Sequence, residues 1–308
     1  MTFKNNSNQE GTMNNREIIT TSSRGINEEL LPYRLFQKAK RFGIWNPSDI
    51  DFTQDTKDWK SLSDAQRNEV LRLISQFQAG EEAVTLDLLP LMMAIAKEGR
   101  LEEEMYLTTF LFEEAKHTEF FRLALNAIGE TGDLSIYHTD TYKTIFYELL
   151  PQTMDRLIHD QSPEAIAEAS TVYNMFVEGV LAETGYFSFY RSLEEAGIMP
   201  GLLKGVGLLK KDESRHIGYG TFLLQRLISE HEHIFDLVSE KMKQLTPYAI
   251  KLNQEGIEGE QNAFGHTIDE TMAFTMRQLS VRMDILARAR GKRMEEIYRM
   301  TEYEVGVV

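Results

Sequence analysis

The sequence predicts an all-α fold built on a bundle of long helices. Three observations carry that expectation: apolar residues recur at helical period over most of the chain, caps and breakers are widely spaced, and only seven prolines interrupt 308 residues. No segment alternates apolar and polar residues as a half-buried strand would, and no repeat of solenoid length is present.

The elements follow in order. Residues 1–26 are polar and Asn-rich without an apolar stretch, as expected of a flexible tail and not of a signal peptide. Residues 27–308 are expected to form one helical domain, the pattern turning helical near residue 28. "WNPSDIDFTQD" at 45–55 reads as a loop because of its Asn-Pro turn signal. Ser63 to Gln66 has capping-box form and should open a helix to about Lys97, kinked near Pro90. A second long helix covers roughly 101–128 and stops at Gly129. A third, about 139–160, contains Pro151 and should bend or break there. Ser162-Pro163-Glu164 supplies an N-cap with proline at the first helical position, opening about thirty residues of helix that Gly197 and "MPG" at 199–201 close. The next helix runs to about Ser229, and others are expected near 230–254 and 267–290.

Composition excludes several classes of function. The absence of cysteine removes disulfides, thiolate catalysis and thiolate-bound metals, and it fits a reducing, cytoplasmic setting. A net charge of −15 argues against nucleic acid as a partner, because phosphate binding needs a basic face. No stretch approaches the roughly eighteen uncharged apolar residues of a membrane span.

Acidic side chains then turn up where a core should be. In "LFEEAKHTEF" (111–120), Glu114 and His117 share a helical stripe with Phe110 and Phe121. A buried, unpaired carboxylate is costly, so something must hold it there. "KKDESRH" (210–216) repeats the Glu-x-x-His arrangement with Glu213 and His216, a spacing that lets both side chains reach one ion. Glu81 lies on the stripe Phe77, Glu81, Val84, Leu88, and Glu178 sits amid apolar residues in "VYNMFVEGVLAETGY". A third Glu-x-x-His, Glu230 and His233 in "SEHEHIF", opens a polar segment after a break and is expected to be solvated.

The order Glu, Glu-x-x-His, Glu, Glu-x-x-His, one element on each of four long helices, is the ligand set of the ferritin-like dinuclear carboxylate proteins. Charge supports it. Four carboxylates cancel two divalent ions, and an oxide or hydroxide bridge from dioxygen can balance oxidation to the trivalent state. Oxygen-rich ligation with one imidazole per ion suits iron or manganese, and zinc has no accessible redox change.

These motifs, with the opening "IWNPSDIDF", resemble the ribonucleotide reductase small-subunit superfamily from about residue 30 to 230. Within it, "AGEEAVTLD", "FEEAKH", "TVYNMFVEGVLAE" and "DESRH" look like the small-subunit-like ligand-binding oxidases. The resemblance implies a ferritin-like four-helix bundle core with additional helices. It implies manganese at Glu81, Glu114 and His117, iron at Glu178, Glu213 and His216, and Glu114 and Glu213 able to bridge; a di-iron centre is the alternative loading. It further implies dioxygen as substrate, an ether crosslink between Val84 and Tyr173, Tyr186 as a second tyrosine near the site, and a long-chain fatty acid in a tunnel to the metals. "LPLMMAIA" (89–96) would suit a wall of that tunnel, and relatives form homodimers.

Phe121 stands where radical-type reductase subunits carry their tyrosine, which argues against a stable tyrosyl radical. Trp45 and Asp212 match the reductases' electron relay, although nothing in the chain identifies the electron donor. The expected activity is therefore two-electron oxidation of a lipid-like molecule by a dinuclear centre. The alternatives are a manganese/iron reductase small subunit, which needs a large-subunit partner, and ferritin-like metal storage.

Overall fold

The protein, seen in a computed structural model, is described over residues 18–256, 261–300 and 303–306. Of the tail reading for residues 1–26, residues 1–17 lie outside this range; within it Ile19–Thr21 forms a 3-10 turn and Arg24 pairs with Glu102 at 2.9 Å. Among the described residues every long element is a helix, and the one β contact is an isolated bridge between Gln261 and Thr267. No helix there is long and apolar enough to cross a membrane.

Helix α1 (Leu31–Phe42) packs on the bundle through Leu31, Leu35 and Ala39. The stretch expected to be loop holds a single 3-10 turn at Pro47–Asp49 and then a short helix, α2 (Thr53–Ser61). The Asp51 carboxylate accepts from the Thr53 N–H at 2.8 Å and so starts α2. Helix α3 (Asp64–Lys97) begins at the expected capping box, with Gln66 N–H donating to Ser63 Oγ, and runs through Pro90 without ending. Helix α4 (Leu101–Ile128) ends where Gly129 adopts φ +79°, a left-handed cap conformation that glycine takes at low cost.

Two elements are wound differently from an α-helix. Around Pro151, α5 starts as Asp140–Lys143, widens into π turns over Thr144–Leu149 and resumes as α over Leu150–Asp155. Proline has no N–H to donate and its ring crowds the carbonyl one turn back, so the wider turn accommodates it at a restarted helix. Element α6 starts at Pro163–Ser170, capped by Ser162 as expected, becomes π over Thr171–Ala182, and continues as α over Glu183–Phe189. Then come α7 (Pro200–Glu230), α8 (Ile234–Glu255), α9 (Ile268–Ala287) and the short α10 (Met294–Tyr298).

The core is two apolar clusters. One contains Val84, Phe110, Tyr173 and Tyr219; the other contains Phe120, Phe121, Tyr186 and Leu209. Along α3, α4, α6 and α7 the acidic positions fall where one cluster gives way to the other.

Candidate metal centre

Each of four helices contributes its predicted element: α3 Glu81, α4 Glu114 and His117, α6 Glu178, α7 Glu213 and His216. All six are buried, none more than 5% exposed. They form two overlapping groups, Glu81, Glu114, His117, Glu213 and Glu114, Glu178, Glu213, His216, whose ligand atoms within each group lie within 4.8 Å of one another. His117 Nδ1 is 3.5 Å from Glu81 Oε2, 3.5 Å from Glu114 Oε2 and 3.4 Å from Glu213 Oε1. His216 Nδ1 is 3.3 Å from Glu114 Oε1, 3.8 Å from Glu178 Oε1 and 3.4 Å from Glu213 Oε2. Glu114 and Glu213 thus offer one oxygen to each half, the arrangement a bridging carboxylate needs.

The donor atoms fit metal ions. Glu114 Oε2, His117 Nδ1, Glu178 Oε1, Glu213 Oε2 and His216 Nδ1 are all buried without a hydrogen-bond partner among the described residues. So many orphaned atoms aimed at two points would be expensive in a site meant to stay empty. Proton affinities agree. Burial raises Glu81 and Glu178 well above the ordinary carboxylate range, and neighbouring carboxylates add to it. Burial acts the same way on Glu114, yet the imidazoles of His117 and His216 beside it bring that carboxyl far below the usual range. Burial works against charging both histidines, but the surrounding acids raise each well above its ordinary value. The metal-free cluster therefore holds protons that two cations would displace.

Behind each imidazole stands an acid. His117 Nε2 donates to Asp212 Oδ2 at 3.2 Å, and His216 Nε2 donates to Glu113 Oε2 at 2.8 Å, which turns both Nδ1 atoms towards the cluster. Arg215 donates to both acids, and Lys116 donates to Asp212 at 2.9 Å. Trp45 Nε1 also donates to Asp212, at 2.8 Å, and its ring stacks at 6.3 Å from that of His117. The sequence reading included Asp212 and Trp45 but missed Glu113, Arg215, Lys116 and Asn174, whose amide donates to Glu178 Oε2 at 2.9 Å. A signal for Glu113 existed, because it shares the stripe Tyr106, Phe110, Glu113, His117, Phe120, all buried.

Tyr173 lies five residues before Glu178, a spacing that π winding rather than α winding brings to one face. Its hydroxyl is 3.2 Å from the Val84 carbonyl oxygen and 3.4 Å from Glu114 Oε1. Tyr186 packs on Phe77 with ring centroids 5.0 Å apart, and its buried hydroxyl has no partner among the described residues. Phe121 packs on the same Phe77 ring, with centroids 5.3 Å apart. Glu230 and His233 do not converge: Glu230 pairs with Arg100 and Arg226, and the exposed His233 pairs with Glu164.

A cavity of about 90 Å³ opens onto the acids between Phe77, Gly80, Val84, Phe146 and Val177. Its α3 wall is the stretch from Leu73 to Val84, so the expected wall at 89–96 is displaced. There Leu91, Ala94 and Ile95 are core, while Leu89 and Met93 face outwards. The reason is helical length: position 89 is eight residues beyond Glu81, about 12 Å along the axis.

Known proteins share this architecture. The family described as ribonucleotide reductase, small chain, matches residues 35–278. Among solved structures, an R2-like ligand-binding oxidase with an aerobically reconstituted Mn/Fe cofactor is 43% identical, with a TM-score of 0.84, over 87% of this chain and 97% of that one. A glycine-to-leucine variant of an R2-like ligand-binding oxidase with an aerobically reconstituted Fe/Fe cofactor matches at 42% identity and TM-score 0.84, over 87% of this chain and 98% of that one. A tyrosine-to-phenylalanine variant with a Mn/Fe cofactor gives the same figures, 42%, 0.84, 87% and 98%. With a family match over most of its length and these neighbours covered almost end to end, the chain belongs to the ribonucleotide reductase small-chain family, among the R2-like ligand-binding oxidases.

Proposed function

We propose that this chain is a dioxygen-activating oxidase whose dinuclear manganese/iron centre serves the two-electron oxidation of a bound long-chain fatty-acid-like molecule. The observation that carries the reading is the set of buried, unpartnered Glu and His atoms converging on two points. Glu81, Glu114 and His117 would hold the first ion, manganese; Glu178, Glu213 and His216 would hold the second, iron; Glu114 and Glu213 could serve both. The Mn/Fe and Fe/Fe relatives support this loading, with di-iron as the alternative. When bound, such ions supply electrons to dioxygen and Lewis acidity to its reduction.

The protein's own groups do the positioning. Asp212 and Glu113 fix the imidazoles, Asn174 orients Glu178, and Phe77, Phe146 and Val177 give the pocket an apolar wall, with Phe121 and Tyr186 packed on Phe77. Burial and the charge of Glu114 raise the Tyr173 phenol well above its ordinary value, so the hydroxyl is protonated in the metal-free site. The crosslink reading follows: the Val84 Cβ–H and Tyr173 O–H bonds break, a Cβ–O bond forms, and two protons and two electrons leave to dioxygen as oxidant. Leu86, Leu89 and Met93 are exposed along one face of α3, which supports a homodimer. A cytoplasmic location fits the lack of cysteine.

Intact-mass spectrometry after aerobic loading with manganese and iron tests the proposal. The expected result is loss of two hydrogens and a linked Val84–Tyr173 peptide; a fully loaded, oxygen-exposed sample of unchanged mass would overturn the crosslink. The Trp45–Asp212–His117 chain favours one second reading, a reductase small subunit without a tyrosyl radical, which would support nucleotide reduction beside a large subunit. Storage would instead take up many ions per chain.

A further inference from the structure

The cavity at the acids continues outwards. Leu73, Gln76, Leu181, Gly185 and Leu252 also line a second chamber of about 80 Å³, whose outer part adds Arg72 and Ser188. Arg72, Gln76 and Gly80 fall on one stripe of α3, so a single helix face runs from a cation to the acidic cluster. Arg72 precedes Glu81 by nine residues, about 13 Å along the helix axis.

Neither the Arg72 guanidinium nor the Gln76 side chain has a hydrogen-bond or ion-pair partner among the described residues. Glu69, an acid lining the same chamber, is already engaged. Its Oε1 accepts from Ser192 Oγ at 3.0 Å and Asn262 Nδ2 at 2.6 Å, and its Oε2 accepts from the Ala263 N–H at 2.8 Å. Burial lowers the Arg72 proton affinity, and the more distant charge of Glu69 opposes this. At the end of α8, Gly256 leaves room for the guanidinium, since a Cβ there would stand 3.0 Å from an Arg72 terminal nitrogen. The result is a partly desolvated cation whose forked donors lack an acceptor, a geometry that suits a carboxylate or phosphate.

We infer that Arg72, assisted by Gln76, receives an oxyanion at the outer end of the ligand, so that the molecule taken up is an apolar chain anionic at the end remote from the metals. The inference rests on the cavity being the ligand site proposed above. Calorimetric titration of the metal-loaded protein with tetradecanedioate, tetradecanoate and 1-tetradecanol tests it. Arg72→Gln should weaken the dianion about tenfold or more, with Arg72→Lys, which keeps the charge but not the fork, recovering part of the loss and the alcohol unaffected by either change. Equal losses for the dianion and the alcohol, or no loss for the dianion, would overturn the role of Arg72. Failure of all three chains to bind the loaded wild-type protein would instead remove the ligand cavity itself.

Discussion

His117 and His216 sit at equal depth and carry the same motif, but the acids behind them lead to different places. Asp212, behind His117, also takes the indole N–H of the half-buried Trp45, beside a surface hollow lined by Ile44, Trp45 and Lys116. Glu113, behind His216, accepts from Arg215 besides the imidazole, and His216 is stacked at 3.7 Å on Phe110 inside the core. One half of the centre thus connects through Asp212 and Trp45 to a surface hollow, whereas the other is backed by the core. Symmetry of ligands coexists with asymmetry of access, and Arg215, which touches both acids, ties the halves together.

The strongest test of that pairing removes a ligand. His117→Ala or His216→Ala should each abolish dinuclear loading, while His233→Ala, on an exposed side chain paired with Glu164, leaves about two metals per chain by elemental analysis. Equal loss from all three would mean that the wrong Glu-x-x-His pairs have been chosen.

Next in size is the link between the halves. Arg215→Met leaves Asp212 and Glu113 buried with less compensating charge, and losing one partner of a buried ion pair costs about 3–5 kcal/mol. Chemical denaturation of the metal-free protein should show a loss of that order, with Arg215→Lys recovering part of it. A change under about 1 kcal/mol would show the two acids to be held independently.

How much of this could be read in advance depends on the physics involved. The six converging side chains were legible because i, i+3 spacing and apolar neighbours are local facts. So were the caps at Ser63, Ser162 and Gly129, each a local backbone requirement. The π winding under Tyr173 and Glu178 was not legible, because "TVYNMFVEGVLA" reads equally well as α and the choice between windings depends on packing against other helices. Glu113 and Arg215 escaped for a related reason. Each adjoins a ligand in sequence and reads as a solvated charge until α4 and α7 come together and give it a partner. The cavity wall was assigned to the wrong end of α3 because apolar composition fixes burial but not which stretch lies level with Glu81.

The smallest expected effect addresses access itself. If electrons enter on the His117 side, Trp45→Phe removes the indole N–H from Asp212 at a stability cost of about 1 kcal/mol, because Lys116 and Arg215 still satisfy that acid. Metal content should stay the same. What should fall is the rate at which an external donor reduces the oxidised centre, followed by stopped-flow absorbance. Phe110→Leu is the matching change on the side backed by the core. Phe110 touches His216 as closely as any ring does, yet beyond it lies the buried Tyr106, at 6.1 Å between ring centroids. That variant should reduce at the wild-type rate. A slower Phe110→Leu beside an unaffected Trp45→Phe would reverse the assignment of the two halves while leaving the metal site itself intact.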